Sequence, residues 1–124
     1  MQLALTLGFL HSKSIIYRDL KLENVMLGED GYLNLIDFGI CRKLEQEEVA
    51  YSTCGTLEYY APEMVREIGH TYSLDWWTLG IATYEMLVGY TPFYTGTHEN
   101  RNKKMKDMIL KKEVTFPVES KNGY

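Results

Sequence analysis

Cysteine is scarce in this chain, and the two present, Cys41 and Cys54, stand far apart. They make no metal-type spacing, and a single pair builds no disulfide framework. The expected setting is therefore reducing and intracellular, taken as cytoplasmic. Long apolar runs are missing as well. The densest, around Leu79 to Val88, is interrupted by Glu85 and too short to cross a bilayer. Met1 to Leu10 is apolar but lacks the basic start and small-residue cleavage site of a signal peptide. Nor is there an excess of positive charge. The 13 basic and 17 acidic residues leave a net charge of −4, which argues against a general nucleic-acid binder and suits basic partners. There is no internal repeat and no low-complexity tract. What remains, 45% apolar and 24% charged over 124 residues, is the composition of one globular domain, 1–124, large enough to bury a core without metal or disulfide.

Local patterning predicts the elements. The apolar stretch Leu3 to Leu10 reads as a helix ending near His11-Ser12-Lys13. Ile15-Ile16-Tyr17 is a short strand-like run. Val25-Met26-Leu27 and Tyr32 to Ile36 read as two strands joined by the turn Gly28 to Gly31, hence a hairpin. Asp37 to Glu63 shows little periodicity and is expected to be a long functional loop. Pro62 and Glu63 open a short helix. Ser73 to Gly89 is the strongest helix, with Ser73 as cap, Asp75 in the first turn and Gly89 as stop. Apolar residues run nearly all round it, so it should be a buried central helix. Thr91-Pro92-Phe93 reads as a turn. Glu99 to Lys112 is a polar helix with Met105, Met108 and Ile109 on one face, and Glu113 to Tyr124 is extended or frayed. His11, His70 and His98 show no ligand spacing and are expected in turns or at the surface.

Three motifs carry chemistry. Tyr17-Arg18-Asp19-Leu20-Lys21-Leu22-Glu23-Asn24 is followed by the hairpin, then Asp37-Phe38-Gly39, then Ala61-Pro62-Glu63. Phosphoryl transfer is mostly positioning and charge neutralisation. It asks for a carboxylate at the acceptor hydroxyl, hard oxygens for Mg²⁺ and a cation near the transferred group. Asp19 suits the first task, Asn24 and Asp37 the second, and Lys21, two residues after Asp19, the third.

Taken in this order, the motifs resemble the catalytic loop, D-F-G and A-P-E of the protein kinases. Tyr17 in place of His, and Asp75-Trp76-Trp77, resemble the AGC group, which includes the cyclic-nucleotide-dependent kinases. The resemblance implies an α+β, mainly helical fold: a kinase-like C-lobe with a short β-hairpin, a long activation segment and a buried central helix. It implies ATP and Mg²⁺, transfer of the γ-phosphate to protein Ser or Thr, and Met26 and Ile36 at the adenine site, where simple strand core is the alternative. It implies a Tyr17 ring packed on Phe38, an Asp75 bonded to the catalytic-loop backbone, and Trp76 and Trp77 in packing. Ser52 matches the phosphorylated position of the activation loop, with Tyr51 and Thr53 as neighbouring competitors. Arg18 and Arg42 would be the cations for that phosphate, and an upstream activating kinase its source. Thr56 resembles the residue that bonds Asp19 and Lys21 and marks Ser/Thr substrates. Glu23 and Glu85 resemble the acids that face a basic substrate residue. Cys54 is a small packing residue in that loop. Leu57 departs from the family's usual Pro.

The resemblance covers about half a kinase domain. The Gly-rich loop G-x-G-x-x-G, the V-A-I-K Lys and the N-lobe helix Glu are not in this sequence, and neither is the Arg that usually pairs with the A-P-E Glu. An unpaired Glu63 and an uncovered central helix are therefore expected, and with them weak or no turnover by the chain alone. A truncated gene model or partial transcript would explain this. A non-catalytic lobe that docks substrates or another kinase is the second reading.

Overall fold

The computed structural model describes residues 1–45, 48–51, 54–96 and 99–117. Helix α1 (Gln2–Ser12) buries Leu3, Leu7 and Leu10, a one-sided stripe at helical spacing. Strand β1 (Ile15–Ile16) leads into the catalytic-loop motif, which ends in a 3-10 turn, Leu22–Asn24. The expected hairpin follows: β2 (Val25–Leu27) and β3 (Leu33–Leu35) pair antiparallel, Val25 opposite Leu35 and Leu27 opposite Leu33. The Gly31 N–H donates to the Gly28 carbonyl at 3.0 Å, and Gly31 turns the chain with φ +79, a conformation cheap only for glycine.

The stretch Asp37 to Glu63 is not wholly loop. Strand β4 (Arg42–Lys43) pairs antiparallel with β1, Ile16 opposite Arg42. Ala50 and His70 bridge through two backbone hydrogen bonds of 3.0 and 2.8 Å, and Leu57–Tyr59 makes a second 3-10 turn. Two-residue strands carry no alternation to detect, which is why periodicity missed them. Helix α2 (Pro62–Val65) starts on proline, as expected. Helix α3 (Ser73–Val88) ends at Gly89 in the left-handed conformation, φ +90, whose N–H returns to the Glu85 carbonyl at 2.8 Å. Its cap position is Tyr72 rather than Ser73, and no side chain caps it. Helix α4 (Arg101–Lys111) buries Met105 and Ile109.

Helix α3 ties the core together. Leu79 packs against Leu3, Leu7, Leu10, Tyr17 and Leu20. Leu74 joins Ile16, Leu44, Ala50, Ala61 and Met64. Ile81 and Ala82 join Tyr59, Phe93, Met105 and Ile109, with Trp77 stacked on Phe93 at 6.0 Å. The reading of a buried central helix holds on the core side of α3, where Leu74, Asp75, Thr78, Ile81, Ala82 and Tyr84 are buried, and the apolar exposure expected of the same helix is present as well. Trp76 and Met86 are half exposed and Leu87 is 72% exposed. Among the described residues no helix is long and apolar enough to cross a membrane.

The Ala50–His70 bridge is kept close by Gly69, at φ +87, where an added Cβ would sit 2.4 Å from Val49 Cγ1. Gly69→Ala is expected to cost about 1–2 kcal/mol from the left-handed backbone alone. That corresponds to a Tm lower by about 4 °C or more, read by thermal melting. An unchanged Tm would mean that the bridge relaxes freely.

Candidate active site

The catalytic-loop motif is held from below by one side chain. Asp75 lies in the first turn of α3 and is fully buried. Its Oδ2 accepts the Tyr17 N–H at 2.9 Å and its Oδ1 the Arg18 N–H at 2.8 Å. The expected bonds to the loop backbone are therefore present. They hold Arg18 at φ +72, a region that costs of order 1–3 kcal/mol for a non-glycine residue and persists only when its surroundings over-determine it. A third donor, His11 Nε2, reaches Asp75 Oδ2 at 2.7 Å. His11 is thus not a surface histidine. Its partner is 64 positions away in the chain, beyond the reach of any local pattern.

On this anchored loop Asp19 is gripped from two sides. Asn24 is buried, and its Nδ2 donates to Asp19 Oδ2 and to the Asp19 carbonyl, both at 2.9 Å. Lys21 Nζ lies 3.1 Å from the same Oδ2 and 3.4 Å from Thr56 Oγ1, to which it donates. Gly55, at φ +89, lets the activation segment run against the loop: an added Cβ would stand 3.3 Å from the Arg18 carbonyl and 3.5 Å from Asp19 Oδ1.

Tyr17 joins the two halves of the site. Its ring is buried and meets Phe38 edge-on at 5.4 Å, the packing expected, and its hydroxyl donates to the Ile36 carbonyl. Burial first, then the charges of Cys41, Asp19 and Asp37, hold that phenol far above its ordinary ionisation range. Asp37 follows Ile36, whose N–H donates to the Asn24 carbonyl at 2.9 Å. Asp37 itself has φ +58, is exposed, and its Oδ1 accepts the Gly39 N–H at 3.1 Å. Met26 in β2 and Ile36, just after β3, are 53% and 41% exposed.

Around the activation segment, Arg18 Nε donates to the Ile40 carbonyl at 2.7 Å and Arg42 pairs with Glu48. Both arginines act on His70, whose pKa is held below its ordinary 6.5 by burial first and then by Arg18. His70 is buried in the bridge to Ala50, against the expectation of a turn or surface position, and its Nε2 has no hydrogen-bond partner among the described residues. Ser52, Thr53 and His98 lie outside the described residues. Cys54 is half-buried beside Gly55, and Leu57 packs against the Tyr59–Phe93 cluster. Among the described residues Glu63 enters no ion pair.

Of the two acids Glu23 and Glu85, Glu85 is bonded to Tyr59. The Tyr59 hydroxyl donates to Glu85 and accepts the Leu22 N–H at 3.3 Å. Burial, then the bond to Glu85, raises its pKa, with Glu23 adding to the effect. Glu58 has its own cation in Arg101; no cation pairs with Glu23 or Glu85 among the described residues.

A model of the protein kinase domain family matches residues 1–123. Ribosomal protein S6 kinase alpha-6 of Danio rerio is 49% identical over 117 residues, and ribosomal protein S6 kinase alpha-3 of Mus musculus and of Homo sapiens is 48% identical over the same length. These alignments take in 94% of this chain and 15% of each relative, so the chain spans about 15% of the length of the curated relatives it matches.

Cys41 supplies a direct check on this packing. Its Sγ lies 3.5 Å from the Tyr17 carbonyl, and its pKa is pushed up from 9.0 to about 11 by burial first and then by Asp75. Two pKa units leave about a hundredfold less thiolate at pH 8. Alkylation of Cys41 by iodoacetamide, followed by mass spectrometry, should therefore be at least about tenfold slower in the folded chain than in urea. The sign follows for stability too: a raised pKa contributes stability fully present below pH 9 and lost as pH rises through about 11.

Proposed function

This chain belongs to the protein kinase domain family, and from that membership we propose that it is the C-lobe catalytic segment of a serine/threonine protein kinase. The observation that carries the reading is the double grip on Asp19, by Asn24 at 2.9 Å and Lys21 at 3.1 Å, with Thr56 at 3.4 Å from the same lysine. In this reading the Asp19 carboxylate orients the substrate hydroxyl and accepts its proton late in transfer. Lys21, bridged between Asp19 and Thr56, faces the phosphoryl group and offsets its charge. Thr56 ties the activation segment to that lysine, which supports Ser/Thr acceptors.

The oxygens available fit Mg²⁺. Asn24 turns its amide nitrogen to Asp19, leaving the amide oxygen as a hard donor, and the exposed Asp37 offers a carboxylate. An ion that prefers few protein ligands plus phosphate oxygens suits such a set; when bound it would neutralise charge on the phosphates of ATP. Exposed Met26 and Ile36 are open to contact the adenine.

Glu23 and Glu85, which pair with no cation among the described residues, are proposed to receive a basic residue of the protein substrate by charge-assisted bonds. Ser52 is proposed as the activating phosphosite, served by an upstream kinase, with Arg18 and Arg42 as its cations; the bond of Arg18 to the Ile40 carbonyl, two residues before Arg42, supports this. A cytoplasmic setting is part of the same proposal. The exposed apolar side of α3 supports weak turnover by the isolated chain. It also favours the second reading, a lobe that docks substrates or another kinase.

Two measurements test this. In the intact protein, Asp19→Asn should lower kcat for an Arg-flanked serine peptide at least about a hundredfold; retained turnover would remove Asp19 from the chemistry. The double variant Glu23→Gln/Glu85→Gln should raise KM for Arg-flanked peptides about tenfold or more and leave peptides without Arg unchanged. An equal change for both peptide classes would refute the recognition role. Robust ATP-dependent phosphorylation by the isolated chain would overturn the expectation of weak turnover.

A further inference from the structure

The histidine that ends α1 does no chemistry in the reading above, yet it touches the one side chain on which the catalytic loop hangs. His11 is nearly buried, 13% exposed at the side chain. Its ring is boxed by Tyr72 at 5.0 Å and by Trp76, edge-on, at 5.3 Å. That packing leaves the ring one orientation, with Nε2 on Asp75 Oδ2 at 2.7 Å. A carboxylate oxygen only accepts, so Nε2 carries the proton. Asp75 therefore takes three donors: His11 and Tyr17 on Oδ2, and Arg18 on Oδ1.

Three donors fix what two do not. The bonds from Tyr17 and Arg18 come from adjacent residues of one loop, so the carboxylate and the loop can swing together about the Asp75 side chain. His11 comes from a different helix and its ring is wedged, so it supplies the external reference that stops the swing. The residue displaced by such a swing is Asp19, which directly follows Arg18, itself held at φ +72. A shift of about 1 Å in a reacting group can cost about a hundredfold in rate.

We propose that His11 is a positioning residue for phosphoryl transfer: it locks the plane of the Asp75 carboxylate and, through the Tyr17 and Arg18 amides, the place of the Asp19 carboxylate. This rests on the kinase reading and adds a residue to it. His11 meets neither substrate nor Asp19. Its loss should therefore weaken the reaction step and spare binding, which a residue that only supports the fold would not do selectively.

The test uses the intact protein. His11→Phe keeps the ring and removes the donor; His11→Gln removes the ring and returns an amide N–H at about the reach of Nε2. His11→Phe should lower kcat about tenfold with KM for peptide and for ATP within about twofold, and His11→Gln should recover most of kcat even where its Tm is the lower of the two. Amide hydrogen exchange of the segment 15–20 should be faster in His11→Phe than in His11→Gln. Should His11→Phe not fold, His11→Asn, whose amide is too short to reach Asp75, takes its place. Unchanged kcat in the donor-free variant sinks the proposal. So does a loss of kcat that follows Tm in both variants, or a rise in KM of the same size. A wild-type protein that transfers no phosphate from ATP sinks the kinase reading itself, whereas an active wild type with these results sinks only the role of His11.

Discussion

The Asp75 carboxylate is the constraint on which the site depends. It is fully buried, and a buried carboxylate is tolerated only when its oxygens are occupied. Here they are occupied by the catalytic loop itself: two consecutive backbone N–H groups that would otherwise be buried without acceptors. Each such orphan would cost about 1–3 kcal/mol. The folding requirement of α3 and the functional requirement of the loop are thus met by the same bonds. The left-handed Arg18 that places Asp19 is held by the same atoms.

Much of this was legible from residue order. The hairpin, the helix at Ser73 to Val88 with its Gly89 stop, the proline-started α2 and the Asp19–Lys21–Asn24 spacing are all local signals. A turn, a cap or a three-residue spacing is written in neighbouring letters. The contact of Tyr17 with Phe38 and the anchoring by Asp75 came from resemblance, since nothing local joins residue 17 to residue 75. What stayed hidden shares one physical cause. β4 pairs with β1 across the catalytic loop, His11 reaches Asp75, and Ala50 bridges His70; each is short, long-range and without period. The two histidines read as surface residues are interior for this reason, since imidazole is common in both places and only its partner decides.

The site also shows how polar groups are graded by their company. Glu58 is paired with Arg101 and Asp19 with Lys21, whereas Asp75 is held by three hydrogen-bond donors. Among the described residues Glu23 and Glu85 pair with no cation; the Tyr59 phenol bonded to Glu85 stabilises a carboxylate without cancelling its charge. The uncancelled charge sits beside the catalytic turn, in a chain whose balance is already negative.

Helix α3 contributes Leu74, Leu79 and Ile81 to three separate apolar clusters. No cluster can come apart without disturbing the rod that belongs to the other two. The molecule therefore has no natural seam along which to melt piecemeal. Heat or denaturant should meet a single concerted collapse of order, in which the catalytic loop is released at the same moment as the helices that frame it.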